Sequence, residues 1–141
     1  MTSTFEERSP RFQGRAPLRV FVVEDLVAVR DMLIEGVDEI VGMHVAGFAD
    51  TEAQAVAWLR ENDCDVLILD LELREGNGLG VLKALAAEQL HPKLVKIVYS
   101  NHVTPSIRRL ATQLDAGFFF DKTLNSSQLF KLLQDLSSGA D

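Results

Sequence analysis

The chain has 141 residues, of which 47% are hydrophobic and 25% charged, the balance of an ordinary globular protein of one domain. A net charge of −7 argues against broad nucleic-acid binding, because phosphate backbones demand a basic surface. No apolar run reaches the length of a transmembrane helix, residues 1–16 lack the apolar core of a signal peptide, and the single cysteine, Cys64, cannot form an internal disulfide; cytoplasmic residence is the expectation.

Residues 1–16 are polar, carry Pro10 and Gly14, and show no sustained period; they read as a flexible arm. From Leu18 onward strand-like and helix-like segments alternate. Leu18–Val23 is a short apolar run, expected to be a buried strand. Leu26, Val29, Leu33, Val37 and Ile40 then recur at the spacing of one helix face. Residues 44–48 read as a second strand. Thr51 and Gln54 resemble a capping box, followed by Val56, Leu59 and alanines as a buried helical face.

Val66–Leu69 is wholly apolar and predicts a third strand. After Gly76 and Gly78, Leu79, Leu82, Leu85 and Ala86 form the next helical stripe. Residues 94–98 give strand four. Thr104-Pro105 is a strong helix start, because proline at the first position loses no needed hydrogen bond. Ile107, Leu110, Ala111 and Leu114 follow on one face. Phe118–Phe120 forms strand five, with Phe118 and Phe120 expected in the core. Asn125 or Ser126 should cap a last helix carrying Leu129, Leu132, Leu133 and Leu136. The sum is a (βα)5 unit over residues 17–138, in which a parallel sheet is covered on both faces. No output domain is expected within these residues.

The chemistry lies at the strand ends. Glu24 and Asp25 follow the first apolar run, Asp70 the third, Ser100 the fourth, and Lys122 comes just after the fifth. In an open parallel sheet such positions converge on one crevice. Clustered carboxylates repel unless a cation compensates them, and Mg2+, or Mn2+ in its place, prefers oxygen ligands of this kind. Ser100 and Lys122 can donate to phosphoryl oxygens, and Asp70 can serve as a carboxylate nucleophile. His44 and His91 have no ligand partner at useful spacing. Trp58 reads as a packing residue, Cys64 as a small buried one, and Arg74 as solvent-facing.

Over residues 18–137 this ordered set resembles the receiver domains of bacterial two-component response regulators. Their pattern is an acidic pair after strand one, a phosphorylated Asp after strand three, Ser or Thr after strand four and Lys after strand five. Here these are Glu24-Asp25, Asp70, Ser100 and Lys122; Gly78 matches the glycine opening the third helix, and Phe119 falls where the family has its switch aromatic. The resemblance implies a flavodoxin-like, CheY-like three-layer α/β sandwich with strand order 2-1-3-4-5. It also implies a phosphorylation switch in a two-component system, signalling by protein–protein contact without substrate turnover of its own. Asp70 would accept a phosphoryl group from a histidine kinase or histidine phosphotransfer protein. Asp25, Asp70 and a backbone carbonyl near Glu72 would hold Mg2+, with Glu24 acting through a metal-bound water. Phe119 would turn toward the space that Ser100 vacates, and the face of helix four, strand five and helix five would read out the change.

Departures from the pattern fall at three places. Thr123 stands where the family usually has proline after the Lys, which predicts a trans bond because a non-proline cis peptide costs about 2.5–4 kcal/mol. Asn101 stands where a small residue usually follows the hydroxyl, and is expected to narrow access to the phosphoryl group. Glu72 and His102, two residues beyond Asp70 and Ser100, occupy positions that tune dephosphorylation in the family. A free-standing receiver, monomeric or weakly dimeric, without membrane or direct nucleic-acid contacts, is the expectation. Two alternatives from other classes are a phosphorylation-independent binding module and an Asp-nucleophile phosphatase.

Overall fold

A computed structural model describes residues 16–139. All of the predicted N-terminal arm except Ala16 lies outside the described residues. Five strands alternate with five helices: β1 (Leu18–Val23), α1 (Val27–Asp38), β2 (Met43–Ala49), α2 (Glu52–Glu61), β3 (Val66–Leu69), α3 (Gly78–Ala87), β4 (Val95–Tyr99), α4 (Pro105–Gln113), β5 (Phe118–Phe120) and α5 (Ser126–Ser137). The strands form one sheet in the order β2-β1-β3-β4-β5, and every pairing is parallel.

The pleat divides the core. Phe21, Val23, Leu67, Leu69 and Val98 face α2, α3 and α4, where they meet Leu59, Val81, Leu82 and Ala111. Val20, Val22, Ile68, Ile97 and Tyr99 face α1 and α5, where they meet Leu33, Val37, Leu129 and Leu133. Central strands buried on both faces need continuous apolar runs, and all four residues of β3 are buried. Among the described residues no helix is long and apolar enough to cross a membrane.

Trp58 packs as expected, its ring stacked on Phe21 with centroids 4.0 Å apart. A bulge in the β1–β2 pairing makes room for it. Val20 pairs with Val45 but Phe21 with Gly47, and a Cβ on Gly47 would lie 2.6 Å from the indole nitrogen. Cys64 is buried, and burial pushes its thiol pKa up to about 12.

Several local expectations are corrected. Strand β2 runs Met43–Ala49 and β4 runs Val95–Tyr99, rather than 44–48 and 94–98. Leu26 precedes α1 and is 55% exposed, so it is not part of the buried stripe. In α3 Leu82 and Leu85 are buried and Leu79 packs against the core as predicted, while Gly78 and Val81 join the buried face and Ala86 is exposed. Leu110 and Phe118 are exposed; Phe118 opens an edge strand that no second neighbour covers.

Capping follows the predicted chemistry with one shift and one exception. Thr51 Oγ1 accepts from Gln54 N at 3.2 Å, but the Gln54 side chain accepts from Asp50 N rather than reaching Thr51. Thr104 Oγ1 accepts from Ile107 N and Pro105 opens α4. Asn125 stands at the N-terminus of α5 without a side-chain cap. Its Oδ1 instead accepts from Asp121 N, and Ser126 Oγ donates to the Lys122 carbonyl.

Candidate functional site

Backbone hydrogen bonds just beyond the strands hold the polar residues along one rim. Glu24 N donates to Ala49 O at 3.0 Å, Asp70 N to Val23 O at 3.0 Å, and Ser100 N to Phe120 O at 3.1 Å. The ladder therefore runs past the last apolar residue of each strand and delivers Glu24, Asp70 and Ser100 as buried side chains. Gly78 closes the approach to this rim. A Cβ there would lie 2.4 Å from the Asp70 carbonyl oxygen and 2.9 Å from Leu71 Cα, which explains a glycine at this position.

Both Asp70 carboxylate oxygens are occupied. Oδ1 accepts from Ser100 Oγ at 2.6 Å and from the Glu72 backbone N–H at 3.0 Å, while Oδ2 accepts from Lys122 Nζ at 2.6 Å. The same ammonium lies 2.7 Å from Glu24 Oε1. Glu24 Oε2 accepts from Leu26 N at 3.1 Å.

Burial pushes the Glu24 pKa above the usual carboxylate range, against the opposing pull of Lys122 and Leu26 N–H. Burial also disfavours the Lys122 ammonium, but its contacts with Asp70 and Glu24 outweigh that cost and hold its pKa above the ordinary lysine value.

Glu24, Asp25 and Asp70 can each present a carboxylate oxygen within 4.8 Å of the others. Three carboxylates against the Lys122 ammonium leave a formal charge of −2. A divalent cation with oxygen preference fits that donor set. Glu72 joins the site through its N–H; its side chain is exposed.

The remaining expected residues flank this centre. Glu72, Asn101 and His102 line a cavity of about 260 Å3 with Leu71, Val103 and Ile107. His102 has a left-handed backbone with φ 58°. Phe119 is half-buried in the core on the α4 side, and the Arg108 guanidinium sits 4.4 Å from its ring centroid. Among the described residues there is no cis peptide, so the Lys122–Thr123 bond is trans.

Residues 20–134 match the response regulator receiver domain. The chain belongs to that family. A receiver domain of this family in Thermotoga maritima CheB superposes with a TM-score of 0.74 at 27% identity, covering 88% of this chain and 96% of that one. The signal receiver domain of NarL from Mycobacterium tuberculosis gives 0.76 at 25% identity, with 88% and 98% covered. In sequence, protein-glutamate methylesterase/protein-glutamine glutaminase 5 of Myxococcus xanthus is 37% identical over 82 residues, 58% of this chain but only 24% of that protein. The DNA-binding transcriptional activator DevR/DosR of M. tuberculosis is 25% identical over 86% of this chain and 55% of its own length. The receiver thus corresponds to only part of these longer relatives. Receiver domains interact with histidine kinases or phosphotransfer proteins and bind Mg2+ in an acidic pocket.

Sequence reasoning missed three features around the centre. The Tyr99 hydroxyl meets Ser126 Oγ at 2.5 Å, tying β4 to the start of α5. Asn77 caps α3 by accepting from Gly80 N at 2.9 Å. Thr123 Oγ1 donates to Asn101 Oδ1 at 3.3 Å. Asn77 before Gly78 carried a readable cap signal, whereas the two long-range contacts carried none.

Proposed function

We propose that this receiver is a phosphorylation switch whose acceptor is Asp70. The phosphoryl group passes from a phosphohistidine of a kinase or phosphotransfer protein. Its P–N bond breaks, the electron pair returns to the imidazole, and a P–O bond forms to an Asp70 carboxylate oxygen. Ser100 and Lys122, which now hold the two Asp70 oxygens, donate to the phosphoryl oxygens as the group arrives. Asp25, Asp70 and Glu24 would hold Mg2+ or Mn2+, which when bound neutralises charge on the phosphoryl group.

Phosphorylation replaces the single carboxylate charge with a phosphoryl group that carries roughly −1.5 to −2 at neutral pH, so the ammonium shared by Glu24 and Asp70 is drawn toward the new anion. Phe119 then turns toward Ser100, leaving Arg108, and the surface of α4, β5 and α5 carries the signal to a partner protein. Such a local charge event biasing a two-state element is the physical form of a switch.

The observation that carries this reading is the pair of 2.6 Å contacts from Ser100 and Lys122 to opposite oxygens of one buried carboxylate. Incubation with acetyl phosphate and Mg2+ followed by intact-mass measurement tests it. One phosphoryl group should be gained, and Asp70→Asn should abolish the gain. Absence of any adduct from acetyl phosphate and from a phosphohistidine donor would leave a phosphorylation-independent binding module.

A further inference from the structure

Asn101 and Thr123 are two of the places beside the centre where this chain departs from its family pattern, and they touch each other. They are 22 residues apart, and Thr123 Oγ1 donates to Asn101 Oδ1 at 3.3 Å. Asn101 directly follows Ser100, and Thr123 directly follows Lys122. The hydrogen bond therefore joins the two loops that carry the groups on Asp70.

Each loop is independently shaped to make this contact. On one side, Asp121 Oδ1 accepts from both Thr123 N at 2.7 Å and Leu124 N at 3.0 Å. Asn125 Oδ1 accepts from Asp121 N at 3.1 Å, and Ser126 Oγ donates to the Lys122 carbonyl at 3.1 Å. This network fixes the turn where proline is the usual device. On the other side, the Ser100 loop turns through left-handed His102, φ 58°. A non-glycine residue in that region persists only where its surroundings over-determine it.

We propose that Asn101 and Thr123 are positioning residues that hold Ser100 and Lys122 as one preorganised unit around Asp70. The inference rests on the phosphoacceptor reading of Asp70. Without the bond the two loops move independently, and the geometry that receives the phosphoryl group is populated less often. Asn101 has a second effect, through the bulk it places beside the pocket. Thr123 acts through the bond alone, and a cycle of variants separates the two.

The test is a double-mutant cycle on the rate of phosphoryl gain from acetyl phosphate with Mg2+, followed by intact mass. Thr123→Val should slow the gain about fivefold, the value of one net hydrogen bond, in the chain that retains Asn101. In the Asn101→Ala background the same substitution should have no effect, and Thr123→Ser, which keeps the hydroxyl, should behave as wild type. Backbone amide NMR gives a readout independent of phosphorylation. Thr123→Val should shift the Asn101 and His102 amide resonances, and Thr123→Ser should leave them in place.

Equal effects of Thr123→Val in both backgrounds, or unmoved amides in Thr123→Val, would overturn the tie while leaving Asp70 as acceptor. A wild-type chain that gains no phosphoryl group from any donor overturns the acceptor reading, and with it the role of the tie in phosphorylation.

Discussion

Replacing Lys122 with methionine isolates the electrostatics of the site. The ammonium contacts Asp70 at 2.6 Å and Glu24 at 2.7 Å, and at an effective dielectric of about 20 each contact has a gross attraction of about 6 kcal/mol. Desolvation of the three charged groups offsets most of that sum, at several kcal/mol per ion. The substitution leaves Glu24 and Asp70, 1% and 3% exposed, facing each other unpaired, and breaking a buried pair this way costs about 3 kcal/mol or more. Glu24 provides the relief. Its folded pKa is already raised by burial, and losing the opposing pull of Lys122 raises it further. A carboxyl raised above its unfolded value contributes stability fully present below the unfolded pKa and lost as pH rises through the folded one. The Lys122→Met deficit should therefore be largest near neutrality and shrink on acidification toward the ordinary carboxylate range. In the wild type, Lys122 has a raised pKa of its own, so its contribution is intact across that interval and is lost only at alkaline pH. Urea unfolding followed by Trp58 fluorescence, at about pH 7.5 and about pH 5, reads both quantities. A variant as stable as wild type at the higher pH, or a deficit that does not change between the two, refutes the buried-pair account.

Gly78→Ala should destabilise the fold by about 2 kcal/mol, seen as a lower urea midpoint, because the added Cβ meets backbone atoms of Asp70 and Leu71 that cannot move aside cheaply; an unchanged midpoint would contradict that packing. Cys64, with its thiol pKa pushed up to about 12 by burial, should resist Ellman's reagent in the folded protein at about pH 8 and react as soon as the chain unfolds. Rapid native-state labelling would show that the strand β3 entrance is open.

The alternation of apolar strands and amphipathic helices carried the architecture because it is a local signal, repeated five times along the described chain. Which face each element buries was less legible. In α3 Leu82 and Leu85 lie on the buried face as the stripe predicts, but that face also takes in Gly78 and Val81 and leaves Ala86 exposed; a glycine presents no hydrophobic mark although it sits at closest approach. Phe118 reads as core by composition, yet it begins the edge strand and remains 38% exposed. At the rim, Glu24, Asp25, Asp70, Ser100 and Lys122 were legible because each sits one or two residues beyond an apolar run, and the parallel sheet brings such positions together. The Asn101–Thr123 bond was not. Each residue is unremarkable by type, and their pairing depends on two loops whose shapes only the folded chain defines.

Backbone conformation separates what the fold needs from what the site needs. Four non-glycine residues among those described adopt positive φ: Gln89, His91, His102 and Asp115. Gln89 and Asp115 end helices. Leu90 N donates to Leu85 O and Gln89 N to Ala86 O after α3, while Ala116 N donates to Ala111 O and Asp115 N to Thr112 O after α4, the paired bonds of the Schellman terminus. His91 is anchored by its ring, whose Nε2 lies 2.7 Å from the Leu59 carbonyl. Helix termination and a side-chain anchor thus accompany these three residues at the rim opposite the carboxylates. His102 ends no helix. It lies instead two residues beyond the hydroxyl on Asp70 and one beyond Asn101. Left-handed backbone costs a non-glycine residue about 1–2 kcal/mol, and here that cost shapes the loop that places Ser100 and Asn101. Non-glycine residues held in this region cluster at functional sites, and this one lies at the rim where the carboxylates gather.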